Sequence, residues 1–199
     1  MNRPLFALFA VFAALLTVLA QPALAHTGAG PVSGAAAGFG HPLGGLDHLL
    51  AMVAVGMLGA QLGGRALWAV PGAFVAAMVV GGVLGMAGFA LPFVEPGIVG
   101  SVIVLGLVIA WGKQVTIAPA MALAAVFALF HGHAHGTEMP AAAAGLEYAA
   151  GFVAATALLH ALGVGIGLAT SLVGEKLAPV SLRAGGGAIA AAGVALVVL

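Results

Sequence analysis

AVPGAFVAAMVVGGVLGMAGFA, residues 69–90, holds no charged side chain. An α-helix rises about 1.5 Å per residue, so a run of about 20 residues covers a hydrocarbon core roughly 30 Å thick. Only an element that satisfies its own backbone donors and acceptors can cross that core, and at this length the element is a helix. Working outward, prolines and charges punctuate further apolar stretches. They predict spans at about 42–62, 69–90, 97–112, 117–137, 144–172 and 180–199. The breaks are Gly63-Gly64-Arg65, Pro92 with Glu95-Pro96, Lys113-Gln114, Pro140, and Glu175-Lys176 with Pro179. His41 is expected as N-cap of the first span, with Pro42 at its first helical position. The expected fold is all-α, a polytopic membrane helix bundle with six transmembrane helices.

Composition agrees with that reading. Of 199 residues, 63% are hydrophobic and 5% charged, and the mean hydropathy is +1.25. A soluble domain carries about a quarter charged residues, so lipid is the expected surroundings. Five basic and five acidic side chains cancel, which leaves no electrostatic footprint for nucleic acid. No phosphate-binding Gly-x-x-x-x-Gly-Lys-Ser/Thr loop occurs, so no nucleotide partner is expected and an ATPase within the chain is excluded. Cysteine is absent. Disulfides, thiolate metal sites and cysteine nucleophiles go with it. Chemistry falls to seven histidines, five carboxylates and a few hydroxyls, amides and thioethers.

Residues 1–25 read as a cleaved secretory signal: Arg3, an apolar run from Leu5 to Ala20, a break at Pro22 and a small-x-small site at Ala23-Leu24-Ala25. Residues 26–199 then form the transmembrane domain, starting at His26 and led in by a Gly- and Ala-rich stretch. With the mature N-terminus in the periplasm, Arg65, Lys113, Lys176 and Arg183 all fall on the cytoplasmic side, as the positive-inside rule demands. The expected location is the bacterial inner membrane. Spans one to three and four to six run in opposite senses, which admits an inverted repeat, although the halves share no evident sequence. Glycine pairs at four-residue spacing, Gly81 with Gly85, Gly59 with Gly63 and Gly163 with Gly167, predict close helix packing and admit a homo-oligomer.

Ionisable groups inside a bilayer are costly and therefore rare unless they face an internal cavity. Here they concentrate in three places. His41-Pro42-Leu43-Gly44-Gly45-Leu46-Asp47-His48 opens the first span. On a regular helix His41 and His48 lie about 10 Å apart along the axis, so one ion reaches both only if Gly44-Gly45 unwinds. Met52 is one turn beyond His48, and Asp47 is placed to orient a histidine or to act as a ligand. His131, His135 and Glu138 share one edge at the end of the fourth span, a donor set suited to a borderline divalent cation. His133 points elsewhere. In the fifth span Thr156 and His160 are one turn apart, whereas Glu147 sits at the water interface.

Depth links the clusters. His48 and His131 each lie about 9 Å below the outer surface, and Thr156 and His160 roughly 18–24 Å from the start of their span. The descending polar series suggests a pathway, with Met52, His133, Thr156, His160 and His26 as additional contributors. Other methionines read as core packing.

HPLGGLDHLLAM (41–52), FHGHAHGTE (130–138) and GFVAATALLHALG (151–163) together resemble the HupE/UreJ family of small nickel permeases associated with hydrogenases and ureases. The resemblance spans essentially the whole mature chain. It implies uptake of Ni²⁺, in some members Co²⁺, across the inner membrane, with the metal as cargo and no prosthetic group. Carried over by position, it implies His41, Asp47, His48, His131, His135 and Glu138 as metal-handling residues. Imidazole also suits Zn²⁺ and Cu²⁺, so the donor chemistry alone does not choose the metal. The chain is read as no enzyme: it lacks His-Glu-x-x-His, and no serine nucleophile stands near a base. The rival readings are an intramembrane metal-dependent enzyme and a non-transporting metal-binding accessory protein.

Overall fold

A computed structural model describes residues 34–139 and 145–198; the signal segment, His26 and Pro140 lie outside them. Among the described residues all regular structure is helical. α1 (Gly34–Gly40) leads through a 3₁₀ turn (His41–Leu43) to α2 (Leu46–Leu62), α3 (Ala66–Met86) and α4 (Val94–Trp111). α5 (Ile117–Thr137), α6 (Gly145–Ala169) with a 3₁₀ turn at Thr170–Val173, and α7 (Ala178–Val198) follow. α3 to α7 are each long and apolar enough to cross a membrane, while α1 and α2 meet that test only together, as a pair bent by 82°. The protein is an integral membrane helix bundle, with the bent pair making a sixth candidate span.

The first span departs from the expected continuous helix over 42–62. Gly45 is extended (φ −108°, ψ 123°) and becomes the N-cap of α2, while the 3₁₀ turn is capped by Gly40 and not by His41. Two consecutive glycines tolerate a helix poorly, and Pro42 in the first turn loses no hydrogen bond. The chain therefore turns at Gly44-Gly45. Upstream, the expected Gly/Ala-rich lead is helical from Gly34 and lies on α6: a Cβ at Gly38 would strike the Tyr148 carbonyl, and one at Gly151 the Ala35 carbonyl. With so few large apolar residues, α1 gives no hydrophobic period to read. Other boundaries shift by a few residues; α3 ends before Gly88 (φ 76°) and α4 starts with Pro96 in its first turn.

Three seams hold the bundle. α3 packs on α5, α2 on α6 and α4 on α7, and at each the backbones touch through glycine. A Cβ at Gly132 would land on the Met78 carbonyl, one at Gly163 on the Val53 carbonyl, and one at Gly106 against Ala190 and Gly186. In a bilayer, where apolar surface gains little from leaving lipid, such close approach supplies the helix association. Gly81 and Gly85 belong to the first seam and Gly163 and Gly167 to the second. Gly63, by contrast, faces open space and ends α2 with φ 70°. Exchanging the first three spans for the last three maps these pairings onto one another, the pattern of an inverted repeat.

The basic residues gather at one end. Gln61 at the end of α2 donates to the Ile109 carbonyl, Gln114 donates to the Gln61 carbonyl, and the Arg183 Nε donates to the Ala110 carbonyl. Lys113 stacks its ammonium 4.6 Å from the Trp111 ring centre, and the exposed Trp68 and Trp111 suit an interfacial belt. A cavity of about 470 Å³ opens here, lined in part by Gln61, Gln114, Thr170, Glu175 and Arg183.

If the α3–α5 seam sets the bundle, Gly132→Ala overpacks it at a cost of about 1–3 kcal/mol. Its unfolding temperature in detergent is expected to fall by several degrees, whereas Gly72→Ala, whose Cβ meets nothing within 4 Å, leaves it unchanged. Equal melting of the two variants would contradict the seam.

Candidate metal centre

The segment His131-Gly132-His133-Ala134-His135-Gly136 uses one helical period twice. Gly132 and Gly136, one turn apart, face α3, where a Cβ would strike the Met78 and Gly82 carbonyls. His131 and His135, also one turn apart, then point into the bundle and are buried, at 0% and 3% exposure. The glycine seam thus aims the histidines. His133 takes another direction and donates from Nε2 to the Phe89 carbonyl at 2.6 Å.

α2 brings Asp47 and His48 to the same place. Asp47 Oδ1 accepts from the His48 backbone N–H at 2.7 Å and from its Nδ1 at 2.9 Å. A carboxylate has only lone pairs to offer, so the ring proton sits on Nδ1 and the buried, unpartnered Nε2 carries the lone pair. Asp47 therefore orients the adjacent histidine rather than one on a neighbouring element. This carboxylate–imidazole pairing is the usual support of a metal-ligating histidine.

Ser101 does the corresponding work for His131. Its hydroxyl proton goes to the Ile98 carbonyl, so its oxygen must accept from His131 Nε2 at 2.9 Å. His131 Nδ1 is left buried and unpartnered, with its lone pair free.

At the rim, the turn at Gly44-Gly45 allows His41 to reach across to α5. Its Nε2 lies 2.9 Å from Glu138 Oε2, both side chains partly exposed. Ligand atoms of His41, His135 and Glu138 lie within 4.8 Å of one another. Ring centres run from His41 to His135 at 4.7 Å, His135 to His48 at 4.5 Å and His48 to His131 at 4.7 Å. Four imidazoles form one series from the rim to the buried interior, and His135, with both nitrogens unpartnered, links the rim residue His41 to His48.

The sequence model of the family described as HupE / UreJ protein matches residues 14–196. The chain is also 48% identical over 184 residues to Protein HupE of Rhizobium leguminosarum bv. viciae, covering 92% of this chain and 95% of that protein. It belongs to the HupE/UreJ family. No solved structure matches it.

In this HupE/UreJ protein the structure brings His41, Asp47, His48, His131, His135 and Glu138 together around the N-terminal end of α2 and the C-terminal end of α5. Glu138 follows the last residue of α5 and meets His41, not His131, because the helix has ended. Met52 does not join: it is fully buried among apolar side chains. His133 is engaged with the Phe89 carbonyl, and Thr156 donates to Met78 Sδ at 3.6 Å. Four contributors escaped the sequence reading. In the sequence Ser101 is only a lone hydroxyl in an apolar span. Phe152, 3.9 Å from His135 between ring centres, Tyr148, 6.0 Å from His41, and Phe74, 5.6 Å from His131, carry no polar pattern that would single them out.

Asp47→Ala and Ser101→Ala remove the groups that fix His48 and His131 without touching a lone pair. Each is expected to weaken Ni²⁺ binding to the purified protein about 10- to 100-fold, the range for lost supporting hydrogen bonds. His133→Gln, outside the series, is expected to bind within about twofold of the parent, read by calorimetric titration.

Proposed function

We propose that this protein carries a divalent transition-metal ion, nickel foremost and cobalt as a second cargo, across the bacterial inner membrane, supplying metalloenzyme maturation. The observation that carries this reading is the run of four imidazoles from a half-exposed rim to full burial, with lone pairs on His48, His131 and His135 left unspent. Neutral imidazoles suit borderline cations, and a graded series binds well enough to replace hydration yet leaves routes for release. The family resemblance points to the same cargo. The metal enters at His41 and Glu138, passes to His135, His48 and His131, and moves inward past His160 toward the cavity at the basic end. With no nucleotide-binding loop in the sequence, movement follows the metal's own gradient or that of a coupled ion.

Orientation follows from the gathered basic residues, which the positive-inside rule places in the cytoplasm; the His/Glu rim then faces the periplasm. Arg65→Cys is expected to label only from the cytoplasmic side and Met139→Cys only from outside, in a chain without native cysteine. The reverse pattern would invert the pathway.

Reconstituted vesicles test transport directly. Protein-containing vesicles are expected to take up Ni²⁺ faster than empty ones, and His48→Ala, His131→Ala or His135→Ala to reduce the rate about tenfold or more with insertion intact. Ligands must be deprotonated to bind, so acidification from about pH 7.5 to about pH 5.5 is expected to slow uptake reversibly. Collapsing a proton gradient at fixed pH discriminates the two modes: an unchanged final Ni²⁺ level means facilitated diffusion. Uptake no faster than in empty vesicles would overturn the transport reading.

A further inference from the structure

His160 stands apart from the four-imidazole series. It lies midway along α6, is 2% exposed, and neither ring nitrogen has a hydrogen-bond partner among the described residues. A neutral imidazole always carries one N–H and one lone pair. Burying both unmet is costly, and such a group calls for an ion or a water to satisfy it.

Its surroundings supply the rest. Thr156 lies one turn earlier on the same face of α6, fully buried, with its hydroxyl proton given to Met78 Sδ. That leaves the oxygen lone pairs of Thr156 unspent. Packed against this face, α3 presents Phe74 and Met78, also one turn apart. Phe74 packs against His160 with ring centres 5.1 Å apart and planes at 87°, and against His131 with ring centres 5.6 Å apart. The Phe74 ring is fully buried and touches both imidazoles while offering no ligand atom. An apolar ring at such a position is a barrier to a hydrated cation.

We propose that His160, with the Thr156 oxygen beside it, is a second and separate station for a divalent transition-metal ion, partitioned by the Phe74 ring from the outer group of His41, His48, His131 and His135. It rests on the transport reading only for its purpose, since occupancy of two stations is a binding property. Two sites of few ligands, separated by a side chain that must swing aside, let an ion advance without opening a continuous aqueous path.

The absence of cysteine gives a clean probe. His160→Cys installs the chain's single thiol, and stoichiometric Cd²⁺ added to the purified full-length protein is expected to give the ultraviolet charge-transfer absorption of a Cd²⁺–thiolate bond. With Cd²⁺ in place, Ni²⁺ is expected to titrate the outer group at the affinity seen without Cd²⁺, within about twofold. In vesicles the variant's Ni²⁺ uptake is expected to be at least tenfold more sensitive to Cd²⁺ than the parent's. Thr156→Cys, on the same face, gives the same absorption should the first variant fail to insert. No thiolate band in either inserted variant overturns the inner station, and one-for-one displacement of Ni²⁺ by Cd²⁺ overturns its separateness. Should the band form and Ni²⁺ bind independently while parent vesicles transport nothing, the station stands and the transport reading falls.

Discussion

Backbone contact between α3 and α5 is the constraint on which the remaining geometry depends. With Gly132 and Gly136 set against the Met78 and Gly82 carbonyls, α5 has no freedom to rotate about its axis. His131 and His135, about 100° round the helix from those glycines, must then enter the bundle. The same contact fixes Phe74 and Met78 on α3 relative to α5. A larger side chain in the seam would separate the helices and turn the imidazoles away together, so the imidazole geometry and the packing are one property of the segment.

Aiming a ring is only half of what a ligand needs; the other half is where its proton sits. For His48 and His131 the partner decides. Asp47 can only accept, so His48 must donate from Nδ1; the Ser101 proton is committed to Ile98, so His131 must donate from Nε2. The free lone pairs thus alternate, Nε2 on one ring and Nδ1 on the next. His133 shows the contrasting outcome. Its Nε2 proton is committed to a backbone carbonyl freed where α3 ends, which ties the end of α5 to the α3–α4 connection.

Much of this was legible in the sequence, for reasons that differ by element. α5 runs from Ile117 to Thr137 as expected because a break at Lys113-Gln114 precedes it and its last turn carries the polar cluster. The meeting of His48 with His131 followed from equal depth on antiparallel helices, which needs only the rise per residue. The bend at Gly44-Gly45 was visible as a condition but not as a fact, since two glycines permit a break without requiring one; packing of α1 on α6 decides it. Ser101 and Phe74 were out of reach because their roles lie in which helix faces which. That information resides in the glycine seams, and with 32 glycines in the chain the pairs that form seams cannot be told from those, such as Gly59 with Gly63, that do not.

The placement of charge along the series bears on how a bound ion could leave again. Glu138, exposed at the rim, and the half-buried Asp47 contact imidazoles of the series, Glu138 through His41 and Asp47 through His48. A divalent cation among the outer imidazoles therefore has two carboxylates close by. At His160 it would have an imidazole, a hydroxyl and no adjacent carboxylate among the described residues. Coulombic attraction grows as the dielectric falls, so losing both carboxylates on moving inward makes the deeper position the weaker one. Under the transport proposal, capture at the carboxylate-bearing rim and release toward the cavity beside Gln61 and Glu175 would then need no separate machinery. On the proposed pathway, the gradient in ligand charge, set by where Asp47 and Glu138 fall on their helices, would make affinity decrease inward.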